Sequence, residues 1–272
     1  VPELPEVETI ARKVRPILVG KRILSASLRW RRTLALPSPA AFEKRLVGQR
    51  VEAVSRRAKF LRLQLSRDTL LIHLRMSGDL TAIVGSYRPA RHDRLILDLS
   101  GDTHLVFNDA RKFGRVWLTE DPDAILAHLG PEPLADDFTP ADLYARLHQR
   151  HRLLKPLLLD QTFLAGLGNI YTDEALHLAR LHPLLRSDAV TSDQAARLWR
   201  AIREVLGEGI RRNGASIDWV YRGGDFQNHF RVYGRTGKPC PVCGTPIERM
   251  VVGQRGTHYC PKCQLPLPVD TL

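Results

Sequence analysis

Four cysteines in two pairs constrain this chain more than any other feature. Cys240-Pro-Val-Cys243 and Cys260-Pro-Lys-Cys263 are separated by 16 residues, and together they use all 4 cysteines of the sequence. Each pair can offer two thiolates to one tetrahedral metal, and a spacer of that length makes one β-hairpin. Disulfides would need an oxidising compartment. A redox C-x-x-C would need a thioredoxin-like βαβ context that is absent around these pairs. The pattern predicts one structural zinc on Cys240, Cys243, Cys260 and Cys263. Four thiolates close the coordination sphere, so this metal folds the tail rather than doing chemistry. Arg249 and Arg255 lie on the intervening hairpin. An arginine near such a tip could enter a nucleic-acid groove or simply remain solvated.

The rest of the chain sets the context for that tail. Lys and Arg number 41 against 29 for Asp and Glu, a formal charge of +12 over 272 residues. A surplus of that size points to an anionic polymer or surface as partner. The length suffices for one large domain or two modest ones. The first 20 residues carry acidic and basic side chains throughout, and no signal peptide is visible in them. The richest apolar stretch, LLKPLLLDQTFLAGLG, is broken by Lys155, Pro156 and Asp160, so no segment spans a bilayer. These readings give a soluble, cytoplasmic protein.

Three zones follow in order. The first opens with a helix: Val7, Ile10, Ala11, Val14, Ile17 and Leu18 recur at helical spacing and Gly20 fits a stop. Pro16 should kink this helix or end it early. PAAFEKRLVG is a second helix. RILSASLR, KFLRLQL, TLLIHL, DRLILDL, THLVF and RVWL read as short strands, which suggests an antiparallel sandwich or barrel. Past LGPEPLADDF (residues 129–138) the apolar period becomes helical. Thr139 and Thr191 are N-terminal caps for helices there. The cysteine tail begins at RTGKPCPVCG.

Several short stretches bear on chemistry. Gly166, Gly168 and Asn169 form a tight turn before a new helix, where backbone N–H groups suit a phosphate. Arg146, Arg150, Arg152 and Lys155 lie close in sequence. SRRAKFL places Lys59 beside Arg56 and Arg57. LIHLRMSG places His73, Arg75 and Met76 at a strand end, and FNDARKFG places Arg111, Lys112 and Phe113 before a glycine. Basic residues beside an apolar wedge suit a protein that enters a duplex and unstacks it. Singly, each of these is more often core or rim.

Taken together, PELPEVET, RRAKFL, IHLRMSG, RKFGR, HLGPEPL, LLDQTFLAGLGNIYTDEAL, VYGRTGKPCPVCG and QRGTHYCPKCQ resemble the formamidopyrimidine-DNA glycosylase family over nearly the whole chain. The resemblance implies an α+β fold: an N-terminal antiparallel β-sandwich with flanking helices (2–134), a central helix–two-turn–helix domain (135–234) and a C-terminal zinc-finger hairpin (235–265). It implies a monomer that excises oxidised purines, 8-oxoguanine and formamidopyrimidines, from double-stranded DNA and then cleaves the abasic strand by β,δ-elimination. The family's N-terminal proline nucleophile falls on Pro2 and its acid/base glutamate on Glu3. The lysine assigned to β-elimination falls on Lys59, and the phosphate-gripping arginine linked to δ-elimination on Arg255. The trio that fills the void left by the flipped base falls on Met76, Arg111 and Phe113. DNA-backbone contacts fall on His92, Arg150, Lys155 and Asn169, with His73 close by.

Two features bear on this resemblance. The base-recognition region, 214–230, departs from the family's usual wording, which leaves the lesion preference open. Val1 precedes the nucleophile. A GTG start codon, translated as formyl-methionine and removed ahead of small Pro2, accounts for it. Two alternatives remain: a sibling glycosylase preferring oxidised pyrimidines, and a zinc-containing damaged-DNA-binding protein without catalysis if Val1 is retained.

Overall fold

A computed structural model describes residues 2–217 and 223–266. The chain divides into two compact units, one of residues 1–128 with 213–224 and one of residues 129–212 with 225–272. Val1 and residues 218–222 of the base-recognition region lie outside the described residues.

The first unit opens with α1 (Leu4–Leu18). Its buried stripe of Val7, Ile10, Ala11, Val14 and Leu18 follows the helical period read from the sequence. Pro16 does not end it early. The proline sits exposed in the last turn, and the helix closes only with Val19 N–H donating to the Arg15 carbonyl at 3.1 Å. The N–H that Pro16 lacks would have served a carbonyl that water can reach on this exposed side.

After α1 come β1 (Ile23–Leu28), β2 (Leu34–Leu36), α2 (Pro39–Leu46), β3 (Val51–Arg57), β4 (Phe60–Leu65) and β5 (Thr69–His73). Then follow β6 (Gly78–Val84), β7 (Asp93–Leu99), β8 (Thr103–Asp109), β9 (Arg115–Thr119) and the single turn α3 (Asp123–Leu126). They form a four-stranded sheet, β1-β7-β8-β6, and a five-stranded sheet, β2-β9-β5-β4-β3. Every pairing is antiparallel except the edge pair β2–β9. Alternate residues of both sheets, including Leu61, Leu63 and Leu65 of β4 and Leu95, Leu97 and Leu99 of β7, enter one core with the α1 stripe. This is the predicted sandwich. The Arg15 guanidinium donates to the Val54 carbonyl at 2.7 Å, and Arg56 pairs with Glu8 at 3.0 Å. Both hold α1 along β3.

The second unit is helical: α4 (Pro140–His148), α5 (Leu154–Leu159), α6 (Asn169–Leu178) and α7 (Ser192–Arg211). Both expected caps are present. Thr139 Oγ1 accepts from Asp142 N–H at 3.2 Å and Thr191 Oγ1 from Gln194 N–H at 3.3 Å. The tail adds one hairpin, β10 (Glu248–Val252) with β11 (Arg255–Tyr259). Among the described residues no helix is long and apolar enough to cross a membrane.

Candidate active site and nucleic-acid contacts

Pro2 and Glu3 stand at the head of α1, with Glu3 as its N-cap and only 2% exposed. Glu6, three residues on, accepts from Glu3 N–H at 2.7 Å through one carboxylate oxygen. Its other oxygen accepts from Ala215 N–H, also at 2.7 Å. Gly214 precedes that contact at φ +77, and a Cβ there would lie 2.6 Å from the Glu6 carboxylate. Only glycine suits the position. Glu6 thus fixes both the first residues of the chain and the near end of the base-recognition region.

Lys59 occupies the two-residue connection between β3 and β4, after Ala58, whose φ is +52. Its charge reaches His73 at the end of β5. Burial first, then Arg75 and Lys59, lower the His73 pKa to about 3. His73 Nδ1 accepts from Arg75 N–H at 3.0 Å, so the neutral ring carries its proton on Nε2 and offers a donor there.

The wedge residues come from two loops tied by one carboxylate. Asp109, fully buried at the end of β8, accepts from the Ser77 hydroxyl, from Arg111 N–H at 3.2 Å and from Gly114 N–H at 2.7 Å. Ser77 follows Met76, and the other two donors bracket Phe113. Arg94 reaches the same corner: its Nε donates to the Asp109 carbonyl at 2.7 Å, and its Nη2 lies 3.3 Å from His92 Nδ1. Met76, His92, Arg111 and Phe113 therefore share one support. Phe113 is 50% exposed with the Arg111 guanidinium 5.0 Å from its ring centroid. Asp109, Ser77 and Arg94 were not singled out from the sequence. The only signal was the aspartate preceding Ala-Arg-Lys-Phe-Gly.

In the second unit Arg255 lies exposed at the tip of the β10–β11 hairpin. Gly253 (φ +55) and Gln254 (φ +63) form the two-residue turn that matches strand twist. The following residue anchors it: the Gly256 carbonyl accepts from Lys155 Nζ at 3.1 Å and from Asn169 Nδ2 at 2.9 Å. Lys155, expected at the DNA backbone, has no exposed surface. Its ammonium also contacts Asp173 at 2.6 Å and Thr257 Oγ1 at 2.7 Å. Asn169 keeps its Oδ1 buried with no hydrogen-bond partner among the described residues. Arg150 is exposed, whereas Arg152 pairs with Asp160 at 2.7 Å and Arg146 donates to the Phe163 carbonyl at 2.9 Å. Glu174, beside Asp173, is buried and accepts from Arg231, Val232 and Tyr233 N–H at 2.8–2.9 Å. Burial raises its pKa, and the three donors pull in the opposite direction.

The four cysteine sulfurs lie within 4.8 Å of one another. Cys243 and Cys260 are 3.5 Å apart, and Cys240 and Cys263 are 3.9 Å apart. A tetrahedral zinc with bonds of about 2.3 Å spaces its thiolates by about 3.8 Å. The donor set fits zinc. The metal supplies folding free energy to a finger whose own core is small: Val232, Ile247 and the cysteines.

Family models match the chain in three blocks: the formamidopyrimidine-DNA glycosylase N-terminal domain over residues 1–116, the formamidopyrimidine-DNA glycosylase H2TH domain over 129–220, and a zinc finger found in FPG and IleRS over 237–265. The formamidopyrimidine-DNA glycosylases of Chloroflexus aggregans and Chloroflexus aurantiacus are each 50% identical to it over 272 residues, covering 97% of this chain and 98% of theirs. A structure of MutM in complex with carbocyclic 8-oxo-G containing DNA is similar, with a TM-score of 0.90, 36% identity, and 97% and 100% of the two chains covered. So is a complex of Lactococcus lactis Fpg with an abasic site containing DNA, with a TM-score of 0.91, 35% identity and the same coverage.

Proposed function

The chain belongs to the formamidopyrimidine-DNA glycosylase family, and on that premise we propose how its residues carry out the reaction: the protein excises oxidised purines from duplex DNA and cleaves the abasic strand, with Pro2 as nucleophile once Val1 is removed. The observation that carries this reading is the head of α1. Pro2 and Glu3 are both buried, and Glu6 pins their backbone to the base-recognition region. A proline turn that merely starts a helix has no need of that tie.

The residue types suit the chemistry. An α-amino group titrates near 8 and a lysine near 10.4, so far more of the former is neutral at pH 7. The Pro2 secondary amine attacks sugar C1′, and the base leaves with the glycosidic electron pair and a proton. The opened sugar is then joined to Pro2 as an iminium, cationic without an added proton. That electron sink acidifies the C2′ hydrogen and lets the 3′ phosphate leave. Glu3 moves protons at the ribose, and Lys59 serves the elimination. Met76, Arg111 and Phe113 fill the stack vacated by the flipped base. Arg255, His92, Arg150 and Asn169 contact phosphates, and His73 adds a neutral donor.

Lys155 has a different part. Its ammonium is enclosed, so it acts as a positioning residue that fixes the carbonyl next to Arg255. The work divides among 2–134 for chemistry, 135–234 for grip on the duplex and 235–265 for the finger. We assign the protein to the chromosome, in the cytoplasm at the nucleoid, and by analogy with the family to a monomeric state.

Incision of duplexes carrying 8-oxoguanine or thymine glycol tests the function. Release of 8-oxoguanine in preference supports it. Release of thymine glycol alone would assign the chain to oxidised pyrimidines instead, and binding without release would remove the catalytic claim.

A further inference from the structure

The zinc finger meets the helical unit at a histidine that neither the glycosylase reading nor the four-thiolate pattern uses. His177 lies in the last turn of α6 and is 2% exposed. Its Nε2 is 3.4 Å from Cys240 Sγ. Its Nδ1 is buried with no hydrogen-bond partner among the described residues. A second tie runs nearby: Gln264 accepts from Cys260 N–H at 2.8 Å and donates to the Leu181 carbonyl at 2.9 Å.

A zinc-bound thiolate has no proton to give, so the His177–Cys240 contact has one polarity. Nε2–H donates and sulfur accepts. Cys240 also receives Val242 N–H at 3.4 Å, the backbone donor supplied by its own turn. Cys260 receives the equivalent donor from Cys263 N–H at 3.4 Å. Only Cys240, among the described residues, has a side-chain N–H from outside the finger aimed at it. A buried imidazole with one nitrogen unsatisfied costs more than an apolar ring of the same size, which argues that its other nitrogen has a use.

We infer that His177 donates a hydrogen bond to the zinc-bound Cys240 thiolate and slows loss of the metal by shielding that sulfur from protons and electrophiles. The inference rests on the zinc centre and not on the glycosylase reaction. Hydrogen bonds to ligands tune metal retention. A donor on sulfur stabilises the thiolate against protons and makes it a poorer nucleophile toward electrophiles. With a maleimide, the sulfur pair that bound zinc forms a C–S bond to the alkene. The alkene π pair takes a proton from water at the adjacent carbon, and water replaces sulfur on the metal.

Two measurements on the full zinc-loaded chain test this. In ¹⁵N NMR spectra of the unaltered protein, His177 should be the neutral tautomer with its proton on Nε2; a proton on Nδ1 would overturn the inference. Zinc release by N-ethylmaleimide, followed with a chromogenic chelator, should be about tenfold faster in His177→Phe. It should be near wild type in His177→Gln, whose amide nitrogen reaches the same place. Equal rates for wild type and H177F, or equally fast release from H177F and H177Q, would reduce His177 to a packing residue.

Discussion

Lys155 Nζ and Asp173 Oδ1 meet at 2.6 Å, with neither side chain exposed to solvent. The pair sits beneath the hairpin that carries Arg255, because Asp173 also accepts from His258 N–H at 2.9 Å. Removing one partner leaves a buried charge uncompensated, which typically costs about 3–5 kcal/mol. Lys155→Met should therefore lower stability to urea by that order and weaken incision. The double variant Lys155→Met/Asp173→Asn should recover at least half of the stability, since no buried charge remains. A double variant no more stable than Lys155→Met would show that the charge is not the origin of the loss.

Phe113 and Asp109 separate function from support. Phe113 is half-exposed, so Phe113→Ala should change stability by no more than about 0.5 kcal/mol. A side chain that stacks on a base is worth about 1–3 kcal/mol, so excision should fall about fivefold or more. Asp109→Ala orphans the donors of Ser77 and Gly114, leaves Arg111 N–H only the Ser77 hydroxyl oxygen at 3.1 Å, and should lower both stability and excision. Equal unfolding midpoints for Asp109→Ala and wild type would dissolve the common support assigned to the wedge.

His73 predicts a pH dependence of stability. Its folded pKa is about 3, against 6.5 for the free side chain. Between those values the unfolded chain binds a proton that the folded chain refuses. His73 therefore costs nothing above about pH 6.5, destabilises the fold progressively as the pH falls through that value, and its penalty is complete below about pH 3. His73→Gln should flatten the melting temperature across that window while leaving its values above pH 7 little changed. A profile as steep as wild type would place the titration elsewhere.

Zinc removal should act locally. Chelation is expected to release one zinc per chain, unfold the β10–β11 hairpin with its small core, and abolish DNA binding through Arg255. The sandwich core of the first unit should persist. A chain that unfolds as a whole on losing zinc would contradict that division.

Local features of the chain could be read from the sequence directly, and those set by distant partners could not. Periodicity and punctuation placed α1, α2 and most strands, and Thr139 and Thr191 announced their helices, because those signals are local. The cysteine spacing specified its metal for the same reason. What stayed hidden depends on distant partners. Glu6 meets Ala215 across 209 residues, Asp109 gathers donors from two loops, and Lys155 is enclosed by a hairpin 101 residues away. A lysine in a basic stretch reads as a phosphate contact until the fold supplies its aspartate. Pro16 misled in the opposite direction, since its cost depends on how near the helix end it falls.

The proposed reaction depends first on the nitrogen of Pro2. Incubating the protein with an 8-oxoguanine duplex in the presence of borohydride, then mapping the trapped peptide by mass spectrometry, reads that atom directly. A covalent adduct is expected on a chain that begins at Pro2, with DNA attached to the proline nitrogen. An adduct confined to a lysine, or a chain retaining Val1 that still cleaves the lesion strand, would contradict it.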